Sequence, residues 1–458
     1  MYKKIISVLI FLSIAYPASG DSFSLFSTIP FVGILLSIAL IPLVNHHFWE
    51  SHYGKVSLFW ALSFLLPAAY FSFSNTAQSL VHTALLEYFP FIIILLALFT
   101  ISGGIQINGS LVGTPKLNLG LILIGTGLAS WIGTTGAAML LIRPIIRANK
   151  KRKHKTHIII FFIILVANIG GALTPLGDPP LFIGFLKGVD FFWTTKYLFF
   201  PMLIHVIFVG AIFYMVDSYF YKKEESEFID ISHENHPIKI QGKINLLLIV
   251  CVVFSVYMSG AFKFGVINIY GTEIPKEFLL RDCYLIMLTY LSWHLTKREL
   301  RKSNGFTWFP ISEVAKLFAG IFVTIIPVLS ILGKGEIRDL SNMMYFWLTG
   351  VLSAFLDNAP TYFVFFNTAG SGRPAEDIAP YLMEIQPMTL LAISSGAVFF
   401  GALTYIGNAP NFMVRSIAEE NDIEMPSFFG YMVWSLAILV PIFTIYSIVV
   451  FYLLDGYL

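Results

Sequence analysis

The chain has 458 residues, of which 57% are hydrophobic and 12% charged, and its mean hydropathy is +0.77. Soluble proteins carry about 25% charged residues, so this composition excludes a soluble globular chain and indicates a polytopic membrane protein. A net charge of +2 gives no basis for nucleic-acid binding. No phosphate-binding glycine loop, zinc-type spacing or serine nucleophile motif occurs, so we expect neither an enzyme nor a cofactor.

Residues 1–20 combine a basic start, an apolar core and small residues at Ala18 and Gly20. This pattern predicts either a cleaved signal peptide or a first helix, and both remain open. Apolar segments then follow one another along the chain and predict an all-α polytopic membrane protein. These segments are 29–46, 56–74, 84–104, 117–147, 158–187, 196–221, 243–262, 283–295, 314–333, 343–368, 390–418 and 427–455.

Lysine and arginine concentrate in three short loops, at 147–155, 222–242 and 297–302. By the positive-inside rule, all three loops are predicted to be cytoplasmic. The mixed charges of the second loop predict a solvated linker between the two halves of the chain. The N-terminal half is then 21–221 and the C-terminal half 243–458.

The charge pattern also predicts two re-entrant hairpins. Cytoplasmic loops at His46–Lys55 and 148–157 place both ends of the segment 117–147 on the inner side. At 1.5 Å per residue, each arm of this segment reaches about 20 Å, which is short of the roughly 30 Å hydrocarbon core. The same counting makes 343–368 a second hairpin that enters from outside, as an inverted repeat would produce. Two ordinary spans are the alternative.

Two polar motifs interrupt apolar segments at matching places. GALTPLGDPPLF lies within 158–187 and GALTYIGNAPNF within 390–418, and seven of their twelve positions match, with Asp178 over Asn408. Proline removes backbone donors, which is costly in lipid unless the break lines a site. Broken helices at matching places in two halves indicate the central site of a transporter. Helices merely kinked for packing are the alternative.

The hairpin tips read GTTGAA and LDNAPT, and aligning them by the tip puts Thr134 on Asp357 and Thr135 on Asn358. A charge at the bilayer centre costs at least about 2.5–3.5 kcal/mol, so Asp178 and Asp357 are predicted to be functional and to bind Na⁺. Hydroxyl, amide and freed carbonyl oxygens would complete the shell of a hard cation. The predicted ion- or substrate-binding residues are Thr134, Thr135, Gly136, Thr174, Asp178, Asp357, Asn358, Thr361, Thr404, Asn408 and Asn411.

Five segments carry a family likeness: ASWIGTTGAAMLLIRP, ANIGGALTPLGDPPLF, EVAKLFAGIFVTIIP, LDNAPTYF and GALTYIGNAPNF. They resemble the ion transporter superfamily, and within it the ArsB/NhaD-type permeases and their citrate-transporter relatives, over about 85–455. The resemblance implies a homodimer with a scaffold part and a mobile part that moves like an elevator. Together with the topology, it implies a multi-pass protein of the bacterial inner membrane. The Gly177-Asp178 pair resembles the Gly-Asp of sodium/proton antiporters of the NhaD type.

The leading hypothesis is a sodium- or lithium-for-proton antiporter, because a midplane carboxylate can hold a cation or a proton but not both. An organic-anion transporter coupled to Na⁺ or H⁺, carrying citrate or a dicarboxylate, is the alternative, since helix N-termini at the same place would suit an anion. Asp357 would repel such a substrate unless it is protonated or cation-bound. Arsenite efflux and an intramembrane aspartyl protease are further alternatives, although Pro175-Leu176-Gly177-Asp178 lacks the Gly-x-Gly-Asp of such proteases.

Overall fold

A computed structural model describes residues 23–109, 111–224, 239–332 and 340–453. The predicted signal peptide or first helix at 1–20 lies outside the described residues. Within them, eight helices are long and apolar enough to cross a membrane, or ten if each of two bent helix pairs counts as one span. The prediction of an all-α polytopic membrane protein is confirmed.

The N-terminal half is a series of helices with one π-helical turn, at Ala84–Tyr88. Its helices are α1 (Ile29–Val44), α2 (His46–Phe71), α3 (Phe73–Thr83), α4 (Phe89–Ser102), α5 (Pro115–Ile132), α6 (Thr134–Ala148), α7 (Thr156–Leu165), α8 (Pro179–Leu186) and α9 (Trp193–Glu224). The predicted cytoplasmic loop at His46–Lys55 is wrong, because these residues begin α2. The side chain of Asn45 caps that helix by accepting from the Phe48 backbone N–H at 3.0 Å.

The C-terminal half is also helical. Its helices are α10 (Ile244–Ala261), α11 (Lys276–Leu295), α12 (Arg298–Ser303), α13 (Phe309–Thr324), α14 (Ile326–Leu332), α15 (Asn342–Leu356), α16 (Asn358–Ala369), α17 (Ala375–Glu384), α18 (Pro387–Phe400), α19 (Ala409–Glu419) and α20 (Phe428–Ile448). Two small antiparallel sheets complete the described fold: β1 (Gln106–Asn108) with β2 (Lys239–Gln241), and β3 (Val266–Ile269) with β4 (Thr272–Pro275).

The ends of the predicted solvated linker at 222–242 are ordered parts of the fold. Helix α9 continues to Glu224, whose carboxylate is buried and accepts from the His154 backbone N–H at 2.6 Å. At the other end, β2 pairs with β1 in the register Gln106 opposite Gln241. Glu224 is the exception to the predicted solvation among the described residues of this linker, because Lys222, Lys223 and the whole of β2 are exposed.

Helices α5 and α6 form a helical hairpin that occupies the predicted segment 117–147. Its two ends meet, since the Gly113 N–H donates to the Ala148 carbonyl at 2.8 Å. The amide side chains of Asn118 and Asn149 also pair reciprocally, at 3.0 and 2.8 Å. Helices α15 and α16 form a second hairpin in the predicted segment 343–368.

The two interrupted segments lie at the centre of the fold. The window around α7 and the 3-10 turn after it, Thr156–Leu173, is 89% buried, whereas the other single spans are 33–50% buried. In the second half, every residue of α18 from Met388 to Phe400 is buried. A helix that is apolar on all sides belongs in the interior of a protein, and this places both chain breaks inside the molecule.

Candidate functional site

The candidate site lies where four helices begin. Helices α6, α8, α16 and α19 start beside one another, and the Thr134 N–H donates to the Gly177 carbonyl at 2.9 Å. Helix N-termini carry positive partial charge from unpaired N–H groups. The residues that immediately precede these helices are Gly133, Asp178, Asp357 and Asn408.

Asp178 is the centre of the site. Its Oδ1 accepts from Thr134 Oγ1 at 3.3 Å and from Asn408 Nδ2 at 2.9 Å, and its Oδ2 accepts from Asn358 Nδ2 at 2.6 Å. The carboxylate is 1% exposed. Both hairpin tips and the second chain break thus donate to one carboxylate on the first chain break. Four of the predicted residues are therefore in direct contact.

Thr174 and Thr404 fix the two chain breaks against the hairpins. The Thr174 hydroxyl donates to the Ser130 carbonyl at the end of α5, and the Thr404 hydroxyl donates to the Ala354 carbonyl at the end of α15, at 2.5 Å. The backbone angles φ and ψ of the two threonines also match, at −138° and 161° against −135° and 166°. Both hydroxyls donate to structural partners, so these residues position the site.

The hairpin tips match in backbone geometry, but one residue away from the predicted alignment. Gly133 has φ +79° and ψ 150°, and Asp357 has φ +76° and ψ 142°. The structure therefore pairs Gly133 with Asp357, and Thr134 with Asn358. The alignment of Thr134 with Asp357 is wrong, because the residue that makes the positive-φ turn defines the tip. A side chain in this region costs about 1–3 kcal/mol, so Asp357 is a strained residue.

Asp357 is half-buried at the second hairpin tip, and its neighbour Asn358 donates to Asp178. Asp357 Oδ1 accepts from the Ala359 N–H at 3.2 Å, and its carbonyl accepts from the Thr361 hydroxyl at 2.8 Å. The Thr361 hydroxyl therefore bonds to a carbonyl at the start of its own helix. Thr135 lies half-buried at the first hairpin tip. In the part of the chain that the structure describes, neither carboxylate has a basic partner.

Gly136 and Asn411 lie at the border of the site and support its walls. A side chain at Gly136 would meet the Ser102 hydroxyl at 2.9 Å, so its absence lets α6 approach α4 closely. Asn411 Nδ2 donates to the Gly401 and Thr404 carbonyls, both at 2.8 Å. These bonds satisfy carbonyls that the break in the second half leaves without helical partners.

Asn168 belongs to the site but was not among the predicted residues. Its Nδ2 donates to Asn411 Oδ1 at 2.7 Å and so joins the two chain breaks. The signal in the sequence was its position two residues before the Gly170-Gly171 pair. Among the described residues, the Oδ1 atoms of Asn168 and Asn358 are buried without a donor. The site therefore has more oxygen acceptors than donors.

This donor set suits a hard cation better than a transition metal. Its groups are carboxylate, amide and hydroxyl oxygens, which alkali and alkaline-earth ions prefer. Across the described ranges, no group of three or more histidine, cysteine or acidic side chains comes together. A cation here would have Asp178, Asp357 and the free oxygens of Asn168 and Asn358 as its nearest candidate ligands.

An all-helical membrane fold with a buried polar site at two chain breaks is the construction of a secondary transporter. A family model described as "Putative citrate transport" matches residues 20–451, so the chain belongs to this transporter family. No curated protein matches the chain. The expected relation to citrate permeases is confirmed, while the likeness to ArsB and NhaD permeases stays a prediction.

Proposed function

We propose that the protein is a secondary transporter that exchanges Na⁺ or Li⁺ for H⁺. One observation carries this proposal: Asp178 is buried and accepts from Asn358, the neighbour of the half-buried Asp357, and no basic side chain among the described residues neutralises either carboxylate. Two like charges in low dielectric need a compensating positive charge. A monovalent cation or a proton supplies it.

The exchange follows from competition for the same oxygens. Asp178 holds its position through Thr134, Asn358 and Asn408, so its remaining lone pairs face a fixed place. A cation bound there repels a proton from the carboxylates, and protonation removes the charge that binds the cation. The cation-bound site and the protonated site each carry little enough net charge to move through the membrane interior. The empty site, with both carboxylates ionised, does not.

We further propose that the two halves are an inverted repeat whose hairpins re-enter the membrane and move with the broken helices as an elevator. Support comes from the matched backbone angles at Gly133 and Asp357 and from the paired threonine contacts of the two breaks. The closed base of the first hairpin favours re-entry, because both arms end together. Single cysteines placed at the two hairpin bases can be labelled with a membrane-impermeant reagent from each side of the membrane. Labelling of the two bases from opposite sides would establish their opposite orientation.

A homodimer in the bacterial inner membrane also belongs to this proposal. It rests on the family likeness described above and on the positive-inside pattern of the loops. Light scattering on the purified protein–detergent complex gives the protein mass directly. A mass near 103 kDa, twice the 51.4 kDa of one chain, is expected, and a mass of one chain would contradict the dimer.

Organic-anion transport is the second candidate, and the family description favours it. The N-termini of α6, α8, α16 and α19 could receive substrate carboxylates. In this mechanism Asp357 must first be neutralised by H⁺ or Na⁺, since it would otherwise repel the substrate. Citrate binding would then depend strictly on a coupling cation.

Proton release on cation binding distinguishes the two candidates. Purified protein in weakly buffered detergent is titrated with NaCl, LiCl and KCl, and the release of protons is followed with a pH dye. We expect release on addition of Na⁺ or Li⁺ without citrate. Release that requires citrate would support the second candidate, and no release in any combination would refute both cation–proton mechanisms.

A further inference from the structure

A separate cavity of about 480 Å³ is lined by the basic loop at 152–157, which is predicted to be cytoplasmic, and by none of the residues of the site at Asp178. One wall is the loop between α6 and α7, which contributes the basic residues Lys153 and Lys155. The other wall is the loop between α19 and α20, which contributes Asp422 and Glu424. The Thr156 hydroxyl joins the walls by donating to the Glu424 carbonyl at 3.0 Å.

Arg152 lines this cavity and has an unused donor. Its side chain is held by Asp217 Oδ1 at 2.6 Å, by the Gly113 carbonyl at 3.3 Å and by Glu224 Oε2 at 3.4 Å. The residue is 4% exposed, and its Nη2 is buried without a partner among the described residues. This Nη2 atom is enclosed and the charge of Arg152 is balanced by Asp217 and Glu224, so Arg152 fixes the first wall of the cavity in place.

The charges of the cavity are divided between its walls. Arg152, Lys153 and Lys155 belong to the first wall, together with two histidines, while Asp422 and Glu424 belong to the second. A simple anion would find attraction on one side and repulsion on the other. A ligand with a phosphate and, a few bonds away, a primary ammonium matches both sides, because phosphate suits arginine and lysine and ammonium donates to carboxylates.

The remaining wall is aromatic. Phe220 of α9 and Trp434 of α20 line the cavity, and Trp434 lies two turns inside a helix long enough to cross the membrane. Tryptophan is enriched where a membrane helix meets the headgroup layer. Basic pockets between membrane helices on the cytoplasmic side are also suited to lipid headgroups. This lining is typical of a site at headgroup depth.

We propose that this cavity binds the phosphoethanolamine headgroup of a membrane phospholipid. The phosphate lies against Arg152, Lys153 and Lys155, and the ammonium donates to Asp422 and Glu424. A bound headgroup joins the loop after α6 to the loop after α19. It therefore fastens together the cytoplasmic ends of two helices that begin at the candidate transport site. The proposal does not depend on which ion or anion the protein carries.

Lipid retention tests the proposal on the full-length protein. The protein is exchanged into a mixture of phosphatidylethanolamine, phosphatidylcholine and phosphatidylglycerol with identical acyl chains, and the lipids that stay bound are quantified by native mass spectrometry. We expect phosphatidylethanolamine to be retained about tenfold over phosphatidylcholine, whose quaternary ammonium has no N–H to donate. Equal retention of the two would overturn the proposal.

Two double variants separate the walls. Lys153→Gln with Lys155→Gln should lower the retention of phosphatidylethanolamine and phosphatidylcholine alike, because both share the phosphate, whereas Lys150→Gln with Lys151→Gln is the matched control, since these lysines lie in the same loop outside the cavity. Asp422→Asn with Glu424→Gln should shift the preference from phosphatidylethanolamine to phosphatidylglycerol. An unchanged preference in this acidic-wall variant would contradict the bipolar site.

Soluble probes identify the source of the headgroup. Free phosphoethanolamine should displace the retained lipid, and inorganic phosphate should do so only at much higher concentration. If free phosphoethanolamine binds with the same variant dependence while no lipid is retained, the membrane source is refuted. If neither is bound selectively, the whole assignment fails.

Discussion

Replacing Asp178 by asparagine removes the charge at the centre of the site and leaves the volume of the side chain almost unchanged. Asp178 accepts from Asn358 at 2.6 Å and from Asn408 at 2.9 Å, through different oxygen atoms. An asparagine must place its NH₂ group against one of these two donors. At least one hydrogen bond to a charged acceptor is then lost, which is worth about 1.5–3 kcal/mol.

The cation also loses one of its two carboxylate ligands in this variant. The hydrogen bond is lost with and without the cation, so only the ligand loss of about 1.5–3 kcal/mol lowers the affinity, and we expect Na⁺ affinity to fall by about 10- to 150-fold. Equilibrium binding of radioactive sodium to the purified variant measures this change. Asp190→Asn is the matched control, because Asp190 is an exposed acid outside the site and should bind sodium like the unaltered protein.

The variant should also release no proton on cation addition. Without a second carboxylate nearby, Asp357 has less reason to hold a proton, so the cation has none to displace. Thermal unfolding should show that the Asp178→Asn protein is folded. Sodium affinity within threefold of the unaltered protein, in a folded variant, would refute the assignment of Asp178 as the cation ligand.

Three further predictions follow from the same geometry. Asp357→Gly should raise the midpoint of thermal unfolding, because glycine relieves about 1–3 kcal/mol of strain at φ +76°, yet it should abolish exchange; a lower midpoint than that of Asp357→Ala would count against the strain. The apparent KM for Na⁺ should rise as the pH falls, by about tenfold per pH unit where one proton competes with one cation, and a KM independent of pH between 6 and 9 would exclude competition. Asn149→Leu should destabilise the base of the first hairpin by about 2 kcal/mol, measured by thermal unfolding, whereas Lys150→Gln beside it should have no such effect.

The chain breaks and hairpins could be located from the sequence because glycine and proline mark them strongly. Proline at Pro175, Pro179 and Pro180 cannot continue a helix, and in the structure regular helix resumes only at Pro179. The meeting of Asp178 with Asn408 also follows from matching motifs at matching places. That these residues bind a transported ion stays a prediction.

Other features depend on contacts that local sequence does not encode. The tip alignment needed the backbone angles of Gly133 and Asp357, since the two tips share too few identical residues to set the register. The Thr174 and Thr404 hydroxyls donate to the hairpins, and their role as ligands stays a prediction. Their partners are about 44 and 50 residues away along the chain.

The polar network around Arg152 was missed for the same reason. Arg152 reads as one more positive charge in a basic loop, and nothing nearby in the sequence predicts that it is buried. Its partners Asp217 and Glu224 lie on α9, more than 60 residues later. Segments of mixed charge at the end of a helix thus need a structure before they can be assigned to solvent.

Proton flux in proteoliposomes tests the central claim most directly. Vesicles with an imposed pH gradient receive NaCl, LiCl, KCl and then citrate as its choline salt, while a dye reports the gradient. The account predicts that Na⁺ or Li⁺ collapses the gradient with the unaltered protein and with Asp190→Asn, but not with Asp178→Asn. A gradient that ignores all three cations and responds to citrate alone would contradict it and make the site an anion carrier.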